Sequence, residues 1–467
     1  MIEFILNNQH IKSSQPSGST VLDFVRYHKR LMGTKVGCRE GDCGACTVLV
    51  GSFENNKLVY RNMTSCLMPL TNVQGKHIVT VEGINQVELT PVQQAMIDTN
   101  GTQCGFCTIG FVMSLTGFVM NETCCSYSDA IKAIDGNICR CTGYKSIEKS
   151  ANILSEKMAE RPATNTISWL VENKFIPEYF INIESRLKSI TKPLRDSEQT
   201  GALPIGGGTD LNVQKHHLVK KSATLNLFDD PTLKYITQEK DEIKIGASVT
   251  VASFEESTII QSIFLDIKKH IKLVSSSPIR NMATLAGNLV NASPIGDMTI
   301  FMLALNAKII FNSGREILLK DFYKGYKQLD KTKEELIQEI SFIVPATGSV
   351  FNFEKVSKRT HLDIASVNSA CLLQLNNEGI IESVHLSAGG VGPFPTYLAK
   401  TGTFLKGKKL SDEVVEQAIE IIQDEVSPIS DARGTKEYKR LLLRQLFLAH
   451  IQKQGVDVFN LLNDISA

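Results

Sequence analysis

Residues 37–46 read Gly-Cys-Arg-Glu-Gly-Asp-Cys-Gly-Ala-Cys (GCREGDCGAC), and the first decision about the fold is made there. Cys38, Cys43 and Cys46 have the spacing C-x4-C-x2-C, and Cys66 follows in MTSCLMPL. That is the plant-type ferredoxin spacing, in which four thiolates hold a [2Fe–2S] cluster. Gly37, Gly41 and Gly44 let the backbone close around such a cluster and aim amide N–H groups at its sulfides. Hydrogen bonds of that kind stabilise the cluster's negative charge and tune its potential. A zinc site usually brings two separated C-x2-C knuckles, which this loop does not resemble. The flanks suit a small β-rich domain: IEFILN and CTVLVG have the pattern of strands, and TVLDFVRYH the pattern of a helix between them.

Working outward, the chain has 467 residues, long enough for two to four domains. Hydrophobic residues make up 42% and charged residues 21%, a balance of packed globular protein rather than disorder. A formal net charge of +1 offers no broad basic field for nucleic acid or an acidic membrane. The start, MIEFILNNQH, has neither the basic n-region nor the apolar run of a signal peptide. IGFVMSLTGFVM is too short to span a bilayer. The expected compartment is the cytoplasm, where thiols stay reduced and disulfides are a poor explanation for cysteines. Of the eleven cysteines, ten lie before residue 142, and the rest of the chain holds only Cys371. A metal-rich N-terminal part is thereby set apart from a different C-terminal part.

Cys104 and Cys107 in QCGFC, with Cys139 and Cys141 in CRC, form a second set. On spacing alone it suits zinc or iron–sulfur equally. Thr90-Pro91 reads as a helix start and Asn100-Gly101 as its stop. A second helix is expected from Cys107 to about Met120, and a third capped by Ser128 and ending at Gly136. A fourth is expected from about Ser146 to Glu160. Loop cysteines between these helices would place an anionic cluster near helix N-termini. The adjacent Cys124 and Cys125 fall outside both patterns and read as ordinary thiols.

Past about residue 160 the texture changes to ERPATNT, a linker, and then to a mixed α/β region. ALPIGGGTDLNV is an apolar strand running into a glycine turn, a form that cradles phosphates with backbone N–H groups. It is neither a Rossmann fingerprint, since Leu211 stands where the third glycine would be, nor a P-loop. By itself GGGTD is a weak signal, and a simple tight turn is the better reading of it. IRNMATLAGNLVNASPIGD (279–297) adds small, hydroxyl and amide side chains able to approach a dinucleotide.

GCREGDCGACTV, QCGFCT and GNICRCTGY together resemble the two iron–sulfur domains of the xanthine dehydrogenase and aldehyde oxidase family, in that family's order. The resemblance implies that the second set also binds [2Fe–2S], and that Gln103 contacts the pterin of a molybdenum cofactor on a partner. Without it, Gln103 would read as a solvated loop amide. Ile109 departs from the proline the family often has after CT, at a position that is not a ligand. The two glycine-rich segments resemble the family's flavin domain. The resemblance implies FAD contacts from Ile205, Gly206, Gly207, Gly208, Thr209, Asp210 and Leu211, and from Thr284, Gly287, Asn288, Ser293 and Asp297. Lys355 in FEKVSKRTHLDIA matches a family FAD contact, and Ile337 in EELIQEISFIVP matches one across a gap. Arg359 and Asp363 fall in the family's flavin and NAD loop, or else form a solvated charge run. LSAGGVGPFPTYLAK and ISDARGTKEYKRLLLRQL resemble the small domain that closes the flavin half.

The fold class expected is a multidomain α+β chain. Residues 1–85 form a β-grasp ferredoxin-like domain, 86–160 a four-helix [2Fe–2S] domain and 161–176 a linker. Residues 177–345 form a non-Rossmann α/β FAD-binding domain, and 346–467 a small α/β C-terminal flavoprotein domain. The similarity is greatest to the small iron–sulfur and flavin subunit of bacterial two-chain members. It implies an electron-transfer subunit beside a molybdopterin-binding large subunit, the heterodimer pairing into a heterotetramer. Electrons from hypoxanthine or xanthine oxidation would leave through two [2Fe–2S] clusters to FAD and then to NAD+ as substrate. FAD converts single electrons to the hydride that NAD+ takes, so the flavin is the catalytic centre here and no acid–base residue is nominated. A related aldehyde or N-heterocycle hydroxylase is the alternative, and a zinc-bound structural scaffold the non-enzyme one.

Overall fold

Two hairpins closed by asparagine turns begin the chain. Strand 2–6 pairs with 9–13 across Asn7 (φ 53°), and 47–54 with 57–64 across Asn55 and Asn56, both at positive φ. Two consecutive left-handed residues give the turn twist that matches paired strands. With 77–79 these strands make a five-stranded sheet in the order 9–13, 2–6, 77–79, 47–54, 57–64. Strand 2–6 runs parallel to 77–79 and every other pair is antiparallel. Val21, Leu22, Phe24 and Val25 pack with Phe4, Leu6, Val48 and Val50 in one core, the helix-on-mixed-sheet form of a β-grasp domain. The expected single helix is two short pieces: Val21–Asp23 is α-helical, and Phe24–His28 is a wider π turn in which Lys29 N–H donates to the Phe24 carbonyl. The computed structural model describes residues 1–121, 125–190, 201–359 and 362–456, so Cys124 lies outside the described residues.

Four helices follow. Pro91–Asp98 starts with a Thr90/Gln93 capping box, Thr108–Met120 follows Cys107, and Lys145–Met158 is the last. Thr108–Met120 is apolar on every face and buried from Gly110 onward, as such a helix must be. The remaining helix, Tyr127–Ala133, is capped by Ser126 rather than Ser128. Ser126 accepts the Asp129 N–H while the Asp129 carboxylate accepts the Ser126 N–H, both at 3.2 Å. Ser128 has Ile131 three residues on and can make no such reciprocal pair. The stretch expected to be a linker carries a helix, Thr166–Glu172, and its Leu170, Phe175 and Ile176 are buried in the same core as the four helices. The apolar residues interleaved with its polar ones are enough to anchor it.

The described chain divides into two compact units. One comprises Met1–Asp230 with Ser276–Ala283, and the other Pro231–Ser275 with Thr284 onward. The first unit also contains a parallel pair of strands, 203–205 and 224–226. The second contains a five-stranded antiparallel sheet in the order 316–318, 308–311, 337–343, 242–246, 236–239. It also contains a four-stranded antiparallel sheet, 350–356, 367–375, 381–389 and 396–397. Helices 399–405, 412–425 and 436–452 contribute Leu405, Val415, Ala418, Ile422, Leu443 and Phe447 to the core of the latter sheet. Because both sheets are antiparallel, this half is α+β in the strict sense rather than doubly wound. Among the described residues no helix is long and apolar enough to cross a membrane.

Candidate cofactor sites

The first cysteine loop is shaped by its glycines. Gly41 and Gly44 have φ of 76° and 67°, which side chains disfavour, and a Cβ on Gly37 would stand 2.6 Å from the Cys43 sulfur. Backbone N–H groups of Glu40 and Asp42 both donate to the Cys38 sulfur at 3.3 Å. Cys38 and Cys43 are half-buried, and Cys46 and Cys66 are buried. The thiols meet in twos. Hydrogen bonding from Cys43 pulls Cys38 down to about 5, helped by the two amides, while Cys43 is pushed up. Cys46 is likewise lowered by Cys66, which is itself raised by Cys46 and by burial.

The second loop pair repeats this arrangement nearer the surface. Cys104 interacts with Cys141, both exposed, and Cys107 with the buried Cys139. Burial, then Cys139, pushes Cys107 up to about 12. Burial opposes ionisation of Cys139, yet Thr142 lowers it, its hydroxyl donating to the sulfur at 3.1 Å and its N–H at 3.4 Å. Tyr144 holds a left-handed backbone (φ 69°) and its hydroxyl accepts the Cys139 N–H at 3.1 Å. Gln103 stands exposed beside Cys104. Cys125 is exposed and away from both sets of pairs. Among the described residues no His, Cys, Asp or Glu side chains gather in threes around one point. The eight thiols form four pairs, and a two-iron cluster takes two thiolates at each iron, so the donor set fits two such clusters.

The start of the 279–297 segment, read from the sequence only as a flavin candidate, braces these loops within the first unit. Ile279 lies against Gly41, where a Cβ would meet it at 2.6 Å. Arg280, 1% exposed, pairs with Asp135 at 2.7 Å just before the second cysteine pair, and Asp135 also accepts the Ser277 N–H. The Met282 carbonyl would sit 1.8 Å from a Cβ on Gly207. An arginine among serine, proline and asparagine gives no sequence signal for burial, and its partner is far away in sequence.

The flavin candidates fall in both units. In the first, Ile205 is buried at the end of its strand, and the Gly206 carbonyl accepts from Asn72 at 2.9 Å. Gly207 is required by the Met282 backbone, and Gly208 has φ 82°. Thr209 and Asp210 are half-buried, and Leu211 opens a short helix. In the second unit Thr284 caps Leu285–Asn291 by accepting the Gly287 N–H, and Asn288 accepts from the Thr299 N–H and hydroxyl, both at 3.0 Å. Ser293 accepts from Ile295 N–H at 3.5 Å. Asp297 and Lys355 are brought together in a half-buried pair at 2.7 Å, with Asn368 donating to Asp297 and Lys355 donating to the Leu273 carbonyl. Ile337 is a buried strand residue. Arg359 and Asp363 grip each other, Arg359 Nε donating to the carboxylate at 2.7 Å.

Four family profiles match the chain in order. They are a 2Fe-2S iron-sulfur cluster binding domain (residues 4–71), a [2Fe-2S] binding domain (80–152), an FAD binding domain in molybdopterin dehydrogenase (182–347) and a CO dehydrogenase flavoprotein C-terminal domain (353–454). The chain belongs to the molybdenum hydroxylase family of oxidoreductases and is its electron-transfer part, with two [2Fe–2S] domains and an FAD-binding domain. It is 31% identical over 482 residues to a xanthine dehydrogenase of Emericella nidulans, a match covering 88% of this chain and 35% of that protein. It is 29% identical over 560 residues to a xanthine dehydrogenase of Blastobotrys adeninivorans, covering 94% and 39%. The chain thus spans little more than a third of these relatives' length. A solved structure of reconstituted CO dehydrogenase from Oligotropha carboxidovorans is similar at 26% identity and a TM-score of 0.51, covering 54% of this chain and 90% of that one.

Proposed function

We propose that this chain is the iron–sulfur and flavin subunit of a xanthine dehydrogenase, serving a molybdopterin-binding chain that oxidises hypoxanthine and xanthine to urate. The observation that carries the reading is the placing of eight cysteines in two separate loop systems, each with amide or hydroxyl groups donating to one of its own sulfurs. Cys38, Cys43, Cys46 and Cys66 would hold one cluster, and Cys104, Cys107, Cys139 and Cys141 the other. When bound, the clusters carry single electrons and the flavin exchanges them as pairs with NAD+.

The chain's own residues do the holding and tuning. The N–H groups of Glu40 and Asp42, and the Thr142 hydroxyl, donate to ligand sulfurs and so favour thiolates over thiols. The exposed Cys104, Cys141 and Gln103 form the face that would meet the partner's pterin. For FAD the reading takes residues 205–211 of the first unit, with Thr209 near the pyrophosphate, and, in the second unit, Thr284, Gly287, Asn288, Ser293, Asp297, Ile337 and Lys355. Lys355 is already neutralised by Asp297, so it would serve FAD as a hydrogen-bond donor more than as a free charge. Cytoplasmic residence and a heterotetramer of two pairs belong to the same proposal. That a CO dehydrogenase structure matches over nine-tenths of its own chain supports a flavin part made separately from the molybdenum part. It also keeps a different substrate open as a second reading.

Assays of the purified chain, with and without a co-purifying molybdenum chain, test this. Alone it should pass electrons from NADH to an artificial acceptor and oxidise no xanthine; adding the partner should bring xanthine oxidation. Hydroxylation by the lone chain would overturn the subunit assignment. A reconstituted complex acting on aldehydes or carbon monoxide but not purines would overturn the substrate.

A further inference from the structure

Asn137 lies two residues before Cys139, in a loop, yet it is only 5% exposed. Both ends of its amide are engaged. Its Nδ2 donates to the Gly44 carbonyl at 3.1 Å, and its Oδ1 accepts from the Ser114 hydroxyl at 2.7 Å. Ser114 is fully buried on helix 108–120. Gly44 belongs to the other cysteine loop, between Cys43 and Cys46, and its carbonyl also takes the Thr47 N–H and hydroxyl. The three pieces meet at glycines. A Cβ on Gly44 would lie 2.3 Å from the Gly136 carbonyl, and one on Gly110 would lie 2.3 Å from the Gly44 carbonyl. Beside this contact, the Ile138 N–H donates to the Cys43 carbonyl at 3.1 Å. Cys43 of one set and Cys139 of the other are therefore joined by one hydrogen bond and the Ile138–Cys139 peptide.

We propose that Asn137, braced by Ser114, is a positioning residue that holds the two cysteine loops in register and so fixes the electron path between their clusters. The inference rests on the assignment of the two cysteine sets as cluster ligands. The amide suits the task because its Nδ2 donates and its Oδ1 accepts at opposite ends of one rigid planar group, so it reaches the Gly44 carbonyl and the Ser114 hydroxyl together without carrying charge. A carboxylate of the same shape would keep the Ser114 contact but set oxygen against the Gly44 oxygen. In the transfer itself one electron leaves one reduced cluster as the other, oxidised, cluster gains it. Asn137 changes neither protonation nor bonding.

The test uses the full chain with iron and flavin measured. In the fully reduced protein, EPR gives each cluster's own g values and the magnetic splitting between the two. Rapid mixing gives the rate at which the clusters equilibrate. Asn137→Asp should keep about four irons and both sets of g values, weaken the splitting, and slow equilibration about tenfold, the scale of losing an outer-shell contact. Ser114→Ala, which leaves the donor to Gly44 in place, should shift both readouts in the same direction by less. It decides the matter if the aspartate variant does not retain iron. Unchanged splitting and rate in an iron-replete variant would overturn the inference. A parent chain without iron would instead sink the ligand assignment on which it rests.

Discussion

At the scale of single residues, the histidines the protein buries without charge should make it sensitive to acid. His450 is 1% exposed; Asn352 donates to its Nδ1 at 2.9 Å, and its Nε2 contacts the Ser369 hydroxyl at 3.1 Å. Burial pulls it down to about 3, and pulls His270 to about 4 and His77 to about 3. The unfolded chain takes these protons near 6.5, so between that value and the folded one it binds more protons than the folded chain. Stability is therefore whole above about pH 6.5 and falls as pH drops toward 3, by about 1.4 kcal/mol per unit for each such histidine. His450→Gln should lower the thermal midpoint at pH 7 but flatten its fall between pH 6.5 and 5. An equally steep fall in the variant would show that His450 is not a source of the acid sensitivity. None of the three histidines had a motif to mark it, because a buried neutral histidine is defined by contacts from elsewhere in the chain. The cysteines were legible for the opposite reason: four ligands within two tight loops write their spacing into the sequence.

At the scale of elements, capping chemistry proved the readable part and tertiary bracing the unreadable part. Thr90 was identifiable as a helix start because Pro91 follows it, and the structure adds Gln93 as the reciprocal partner of a capping box. Ser128 was the expected cap of the next helix, and the reciprocal bonds between Ser126 and Asp129 decide for Ser126. Ser126→Ala should cost about 1 kcal/mol in denaturant unfolding of the iron–sulfur half. Ser128→Ala, on the exposed side of the first turn, should stay within about 0.5 kcal/mol. Equal losses at the two positions would contradict the cap. The helix at 166–172 and the Arg280–Asp135 brace were hidden because each depends on burial against distant residues. Gly207 illustrates a related limit. Its place in a glycine turn was legible, but the Met282 carbonyl that fills the space a side chain would need was not, because it comes from a distant part of the chain.

At the scale of the whole molecule, the order of parts was legible from end to end. The cysteine asymmetry divided the chain, and the matched profiles follow that order: two iron–sulfur domains, then two flavin domains. What the molecule acts on was not legible, because the substrate pocket of the proposed enzyme belongs to a region this chain does not match. The central claim is that the paired thiols hold two independent [2Fe–2S] centres, and one measurement reaches it most directly. EPR of the dithionite-reduced chain, with iron quantified, should show two separable signals from about four irons, and Cys43→Ser should remove one signal and leave the other. Zinc in place of iron, or the loss of both signals on replacing Cys43 alone, would contradict the account.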